Sequence, residues 1–270
     1  MMPRVEKMLR VKPGSRVRLA HWDTDAPGGV GKEKARVRTE RVVAELPDWQ
    51  YKLYVENRRA LLIVLQAMDA GGKDGVIRRV MASLNPQGCR VTSFKAPSAL
   101  ELSHDFLWRV HAAVPARGEI GIFNRSHYED VLIGRVKNLV PRRVWSRRYD
   151  QINDFERMLV ENDVTILKFF LHISKEEQRE RLQARLDDPT KHWKVDAADV
   201  EERKLWDEYR RAYEVALERC STPWAPWYVV PADRKWFRDF AVSEIILEKL
   251  REMNPRFPPA KEDLRRIVIE

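Results

Sequence analysis

The residues best suited to chemistry fall in two short segments. The first, "MDAGGKDG" at 68–75, sets three glycines, one lysine and two carboxylates close together. Glycines permit a tight turn whose backbone N–H groups converge on anionic oxygens, and a lysine adds a mobile charge for a bridging or terminal phosphate. The candidate phosphate-binding set is Ala70, Gly71, Gly72, Lys73, Asp74 and Gly75. It departs from the pattern G-x-x-x-x-G-K-[ST], with Ala67 at the first position and Asp74 at the last. Asp69, inside the loop, is the metal candidate: it takes over from the absent hydroxyl and binds Mg²⁺ directly or through water.

The second segment is "FNRSHYEDV" at 123–131. Polar residues leave the carboxyl end of an apolar run, where open α/β sheets bind their ligands. Asn124 stands where a Walker B acid would sit. Arg125 is placed to neutralise a transferring phosphoryl group, and Glu129 and Asp130 to bind metal or position an acceptor. His127 has two readings, a phosphoenzyme nucleophile or a hydrogen-bonding wall residue. Direct attack by an ionised phosphate accounts for the other residues without it, which favours the wall.

A third set follows. Arg181 and Arg185, four apart, share a helical face and suit a closing segment that delivers guanidinium groups to phosphoryl oxygens. Closure also excludes water that would hydrolyse the donor. Lys191 and Lys194 are candidate clamps. The run 135–148, "RVKNLVPRRVWSRR", contains Arg135, Lys137, Arg142 and Arg143 and no acid. By charge alone it reads as a solvated helix face; the resemblance given below offers it also as a channel for a phosphate chain.

These residues need a scaffold. Apolar runs at 60–66, 89–94, 118–123, 164–173 and 227–232 read as strands, and helical patterns fill 98–113, 126–138, 141–162, 174–187, 199–219 and 234–253. A further helix spans 31–58, with Pro47 expected to interrupt it. Strands alternating with helices predict a doubly wound α/β fold, a central parallel sheet flanked by helices; the family resemblance given below implies its three-layer, P-loop-kinase-like form. About 50 charged, helical residues separate the last two strands, more than a crossover needs, so about 174–220 reads as a helical lid. The expected organisation is an N-terminal extension (1–30, with "DTDAPGGVG" as a loop), a kinase-like domain (31–255) and a C-terminal tail (256–270).

Composition limits the function classes. With 44% hydrophobic and 34% charged residues, the 270-residue chain can bury a sizeable core, and its net charge of +9 favours anionic partners. Two distant cysteines give neither a disulfide scaffold nor a zinc site. No apolar signal core and no membrane-length run is present, so the cytoplasm is the expected compartment. Nothing resembles a nucleic-acid recognition module, so neither nucleic acid nor membrane is expected as a partner. The aromatics of 221–236 read as core, and the base is expected near Phe94–Pro97.

The ordered set "MDAGGKDG", "FNRSHYEDV" and "DPTKHWK" (188–194), with "STPWAPWYVVPADRKW" (221–236), resembles the polyphosphate kinase type 2 family over roughly residues 30–255. The resemblance implies Mg²⁺- or Mn²⁺-dependent, reversible phosphoryl transfer between inorganic polyphosphate and nucleotides (AMP, ADP and ATP, with guanine nucleotides not distinguished). It implies roles for Asp69, Lys73, Arg125, Arg181 and Arg185, and a homodimer or homotetramer. Glu129, where many members carry Asn, is similar to the subgroup that phosphorylates both AMP and ADP; Asn124 replaces a common Asp. The rivals are an ATP-dependent nucleoside or nucleotide kinase of the same fold and a non-enzymatic nucleic-acid binder.

Overall fold

The five apolar runs pair into one parallel sheet in the computed structural model, which describes residues 5–27 and 29–260. The strands are β1 (Ala60–Ala67), β2 (Cys89–Ser93), β3 (Ile120–Asn124), β4 (Val164–His172) and β5 (Trp227–Pro231). Their order is β2-β3-β1-β4-β5, and every pair is parallel. Central β1 is buried along its whole length, which explains its unbroken apolar sequence. Its register places Leu65 opposite both Asn124 of β3 and Phe169 of β4. The carboxyl ends of β1 and β3 therefore finish side by side, and the two chemical segments emerge as neighbours.

The helices are α1 (Val5–Leu9), α2 (Lys32–Glu56), α3 (Lys73–Val80), α4 (Ala99–Leu102), α5 (Trp108–His111), α6 (Glu129–Val136), α7 (Arg142–Glu161), α8 (Lys175–Leu186), α9 (Ala197–Lys204), α10 (Trp206–Cys220) and α11 (Lys235–Met253). Helices α2, α3 and α11 pack together as one layer, and α6, α7 and α10 as another, with the sheet between. Val11 N–H donates to Trp227 O (2.9 Å) and Arg10 bridges Tyr228, so the N-terminal segment covers the outer edge of β5. Among the described residues, no helix is long and apolar enough to cross a membrane.

Several boundaries differ from the sequence pattern for local reasons. Pro47 does not interrupt α2. Lacking an N–H, it leaves the carbonyl of Val43, one turn back, without its helical donor, and Ser83 Oγ donates to that oxygen at 2.8 Å. The single helix expected over 98–113 is two short ones. Asp105 Oδ1 accepts from Leu107 N–H (2.9 Å), and this turn competes with the helix. Helix α6 starts at Glu129 rather than 126, because Ser126 Oγ takes Tyr128 N–H (3.2 Å) in a turn. Of the span 174–220, α8 bonds to the backbone of residues 69 and 70 and α9 brings Asp199 to the same cleft, whereas α10 packs against α6 and α7 and buries Tyr213, Leu217 and Cys220. The sequence surplus is thus shorter than the whole interval. Residues 1–4 of the extension and 261–270 of the tail lie outside the described residues.

Candidate active site

The phosphate loop is a turn between β1 and α3. Gly72 has φ 101°, left-handed backbone that glycine adopts without strain. Gly71 is required for space: a Cβ there would lie 2.4 Å from Ala67 Cβ and 2.8 Å from Met68 O. Ala70 also sits at positive φ (59°), as does Arg125 (63°) in the adjacent segment. Left-handed backbone costs a non-glycine residue about 1–2 kcal/mol, and such strain gathers at functional sites. Lys73 begins α3 with its only side-chain hydrogen bond among the described residues a long 3.4 Å contact to Ala67 O. Burial pulls its pKa down, and the nearby Asp69 opposes that.

The positive φ of Arg125 turns its backbone off the end of β3, where its N–H donates to Leu65 O (3.1 Å). Its guanidinium reaches Asp69 Oδ1 at 3.4 Å and stays partly exposed to the cleft. Glu129 lies behind it. Burial raises the Glu129 pKa, countered by Arg125, Lys73 and a hydrogen bond from Gln66. Asn124 donates its amide to Asp74 Oδ1 (2.9 Å). That bond and Lys194 hold the Asp74 pKa down although burial pushes it up. Asn124 therefore positions the loop carboxylate.

The two arginines of α8 differ. Arg181 has every nitrogen engaged: Nε with Glu177 (2.7 Å), Nη1 with Ala70 O (3.0 Å), Nη2 with Ala232 O (2.5 Å) and Asp233 O (3.3 Å). Together with buried Gln178, which donates to Asp69 O (3.0 Å), it fastens α8 to the loop backbone. Arg185 instead meets Asp199 (3.2 Å) and Lys194 O (3.5 Å). Lys194 pairs with Asp74 at 3.4 Å, and Lys191 with Asp188 at 2.5 Å on the exposed rim. One cleft of about 710 Å³ gathers loop residues 69–75 with Asn124, Arg125, Arg181, Arg185, Lys191 and Lys194.

The family model described as Polyphosphate kinase 2 (PPK2) matches residues 29–258. The chain belongs to the polyphosphate kinase 2 family. It is an enzyme of that family and shares its α/β fold, built on a five-stranded parallel sheet. The chain is 51% identical over 266 residues to the AMP/ADP-polyphosphate phosphotransferase of Meiothermus ruber, covering 98% of this chain and 100% of that one. It is 46% identical to the ADP-polyphosphate phosphotransferase of Rhodopseudomonas palustris, covering 98% of this chain and 96% of that protein. The crystal structure of Polyphosphate Kinase 2 from Arthrobacter aurescens TC1 superposes with a TM-score of 0.93 at 45% identity, covering 97% of this chain and 94% of that chain.

The remaining predicted positions of this polyphosphate kinase 2 lie elsewhere. Arg135 stacks over Trp145 (5.0 Å) and meets Tyr149 OH (3.4 Å), Lys137 pairs with Glu202, and Arg142 and Arg143 are exposed at the start of α7. None of the four lines the cleft around Lys73. His127 is 1% exposed, against Glu156 (3.3 Å) and the rings of Tyr128 and Phe155, so it is neither nucleophile nor cleft wall. Trp227 and Tyr228 are core, as expected; Phe94 and Lys95 line the cleft.

Sequence reasoning missed a second hollow. A groove of about 800 Å³ lies along the other flank of the loop, where Ala70, Gly72 and Gly75 also line it. Its walls carry Arg36, Arg78, Arg79, Arg181, Lys235 and Arg238 against the two carboxylates Glu40 and Asp239. Arg78 and Arg79, about one and a half turns beyond Lys73 on α3, were the available signal. The others are too scattered in the chain to form a motif. Trp193, 78% exposed in the turn after α8, also lines the cleft and was not singled out.

Proposed function

We propose that the enzyme transfers a phosphoryl group reversibly from inorganic polyphosphate to AMP and to ADP, by direct in-line attack of the acceptor's terminal phosphate oxygen. The observation that carries this reading is the pair of unlike hollows meeting at one phosphate loop. The groove, with six cations and two carboxylates, matches a long polyanion with about one negative charge per internal phosphate and no base to read. The cleft holds Asp69, Asp74 and Asp199 among its cations and has Trp193 and Phe94 on its walls, which suits a nucleotide phosphate with its metal and an aromatic base. Support for both acceptors comes from the Meiothermus ruber relative, named for AMP and ADP, and from Glu129 in the position resembling that subgroup.

A terminal phosphate is already ionised near neutral pH, so it needs approach and shielding rather than a strong base. Lys73 and the loop N–H groups hold the phosphoryl group in transfer; Arg125 and Arg185 neutralise its oxygens from either side. Arg181 and Gln178 hold the closed lid against the loop and keep water out. Mg²⁺ or Mn²⁺ fits here. Among the described residues no cluster of three or more ligating side chains exists, and Mg²⁺ needs only one or two carboxylates with substrate phosphates completing its shell. Asp69 would hold it, with Asp74 nearest on the loop. Its chemistry would be to offset charge on the phosphates being exchanged.

The test omits ATP: enzyme, Mg²⁺, polyphosphate and AMP are combined, then ADP in its place. ADP and ATP are the expected products. Nucleotide formation only when ATP is the donor would overturn the reading in favour of a conventional nucleotide kinase.

A further inference from the structure

The structure assigns Arg238 as a positioning residue of the phosphate loop: a buried guanidinium plate that seats the loop's turn and fixes a positive charge on the donor side. This rests on the groove being the path of polyphosphate.

Arg238 projects from α11, which packs against α3, and is 4% exposed. Asp239 Oδ1 takes its Nε (2.9 Å) and Nη2 (2.6 Å). The remaining nitrogen, Nη1, faces the loop. A Cβ built at Gly72 would lie 2.2 Å from it. At Gly75, a Cβ would fall 3.0, 3.3 and 3.4 Å from Nη2, Nη1 and Cζ.

Gly75 is the telling position. Its backbone is ordinary helix, lying within α3 at no positive φ. Glycine there costs the helix about 1 kcal/mol relative to alanine, with no conformational return. The guanidinium plane accounts for it: the plate lies under two missing side chains, and a flexible ammonium would not fill the same flat space. Arg238 also lines the groove, beside Lys235 and Arg79. Arg181 Nη1, from α8, lies 3.5 Å from the same Cβ built at Gly72, so two guanidinium groups converge on this turn. Only Arg238 keeps its place when the lid opens, because it belongs to the core layer.

The test compares Arg238→Lys with the double variant Arg238→Met/Asp239→Asn, which avoids stranding a buried carboxylate. In the double variant, KM for polyphosphate should rise about tenfold while KM for ADP stays within about twofold, at unchanged melting temperature. Arg238→Lys should recover part of the loss, because it keeps charge without the plate. Gly75→Ala should harm the wild type more than the double variant. Equal rises in both KM values, full recovery with lysine, or an equal Gly75→Ala penalty in both backgrounds would each overturn the assignment. Failure of the wild type to use polyphosphate at all, with ATP use intact, would instead sink the donor reading.

Discussion

Residues 125–129 serve two clusters of charge that contrast sharply. Arg125 and Glu129 belong with Asp69 and Lys73 at the mouth of the sheet. His127 and Tyr128, between them in sequence, turn inward to Glu156 and Lys168. In the inner cluster Lys168, fully buried, gives its three protons to Tyr128 OH (2.9 Å), Glu156 (2.5 Å) and Cys220 O (2.7 Å). Lys73 has one weak contact at 3.4 Å. Two lysines, one wholly and one partly buried, thus differ in satisfaction. One ties β4, α7 and α10 to the turn before α6, and the other is, on the proposed reading, left for a substrate anion.

Exchanging each lysine for methionine should break the comparison most visibly. Lys73→Met is expected to lower kcat/KM by about 10²–10³-fold with little change in unfolding temperature. Lys168→Met should destabilise the fold by about 3–5 kcal/mol, leaving Glu156 buried and unpaired, while the folded fraction keeps its kcat. Denaturant titration beside steady-state assays separates the two; loss of kcat in folded Lys168→Met would erase the distinction.

The two α8 arginines come next in size. Arg185→Ala should cost kcat about 10²-fold, since its guanidinium is held by a single carboxylate that substrate can displace. Arg181→Ala should instead raise KM for donor and acceptor together, because it frees α8 from the loop. A pure kcat effect at Arg181 would reverse these roles.

Acid should separate the clusters in order. Burial raises the Glu129 pKa, outweighing Arg125 and Lys73, so activity should begin to fall above the ordinary glutamate range. Burial would also raise the Glu156 pKa, but Lys168 and His127 outweigh it and the net direction is down. The Glu156 contribution to stability is present above its unfolded pKa and disappears as pH falls through its lower folded value. Activity should therefore decline before stability. On the alkaline side, the lowered Lys73 pKa should bring activity down before an ordinary lysine would titrate. Rate and unfolding profiles on one pH axis check the order, and coincident acid limbs would contradict it.

The smallest effect is expected at His127. His127→Ala should keep activity within a few-fold and lose about 1–3 kcal/mol of stability from the buried Glu156 contact. A trapped phosphohistidine would contradict its placement in the core.

Local pattern made much of this legible. Unbroken apolar runs such as Ala60–Ala67 signal strands buried on both faces, and a glycine turn after one of them locates the loop. What sequence could not show depends on distant partners. Ser83 rescues the Val43 carbonyl, so Pro47 stays helical. The family resemblance offers the basic run 135–148 as a channel, yet Arg135 and Lys137 are engaged with Trp145 and Glu202 away from the cleft. The groove residues come from α2, α3, α8 and α11, and only folding makes them neighbours. Nor could spacing separate Arg181 from Arg185, which differ only in what they meet.

Arg181 grips main-chain oxygens at Ala70, Ala232 and Asp233. Every amino acid offers the same carbonyl, so the catch is indifferent to the side chains beneath it. Cleft-facing positions of α8 and α9 other than Arg185 can therefore vary, or be redesigned for other acceptors, without unfastening α8 from the loop.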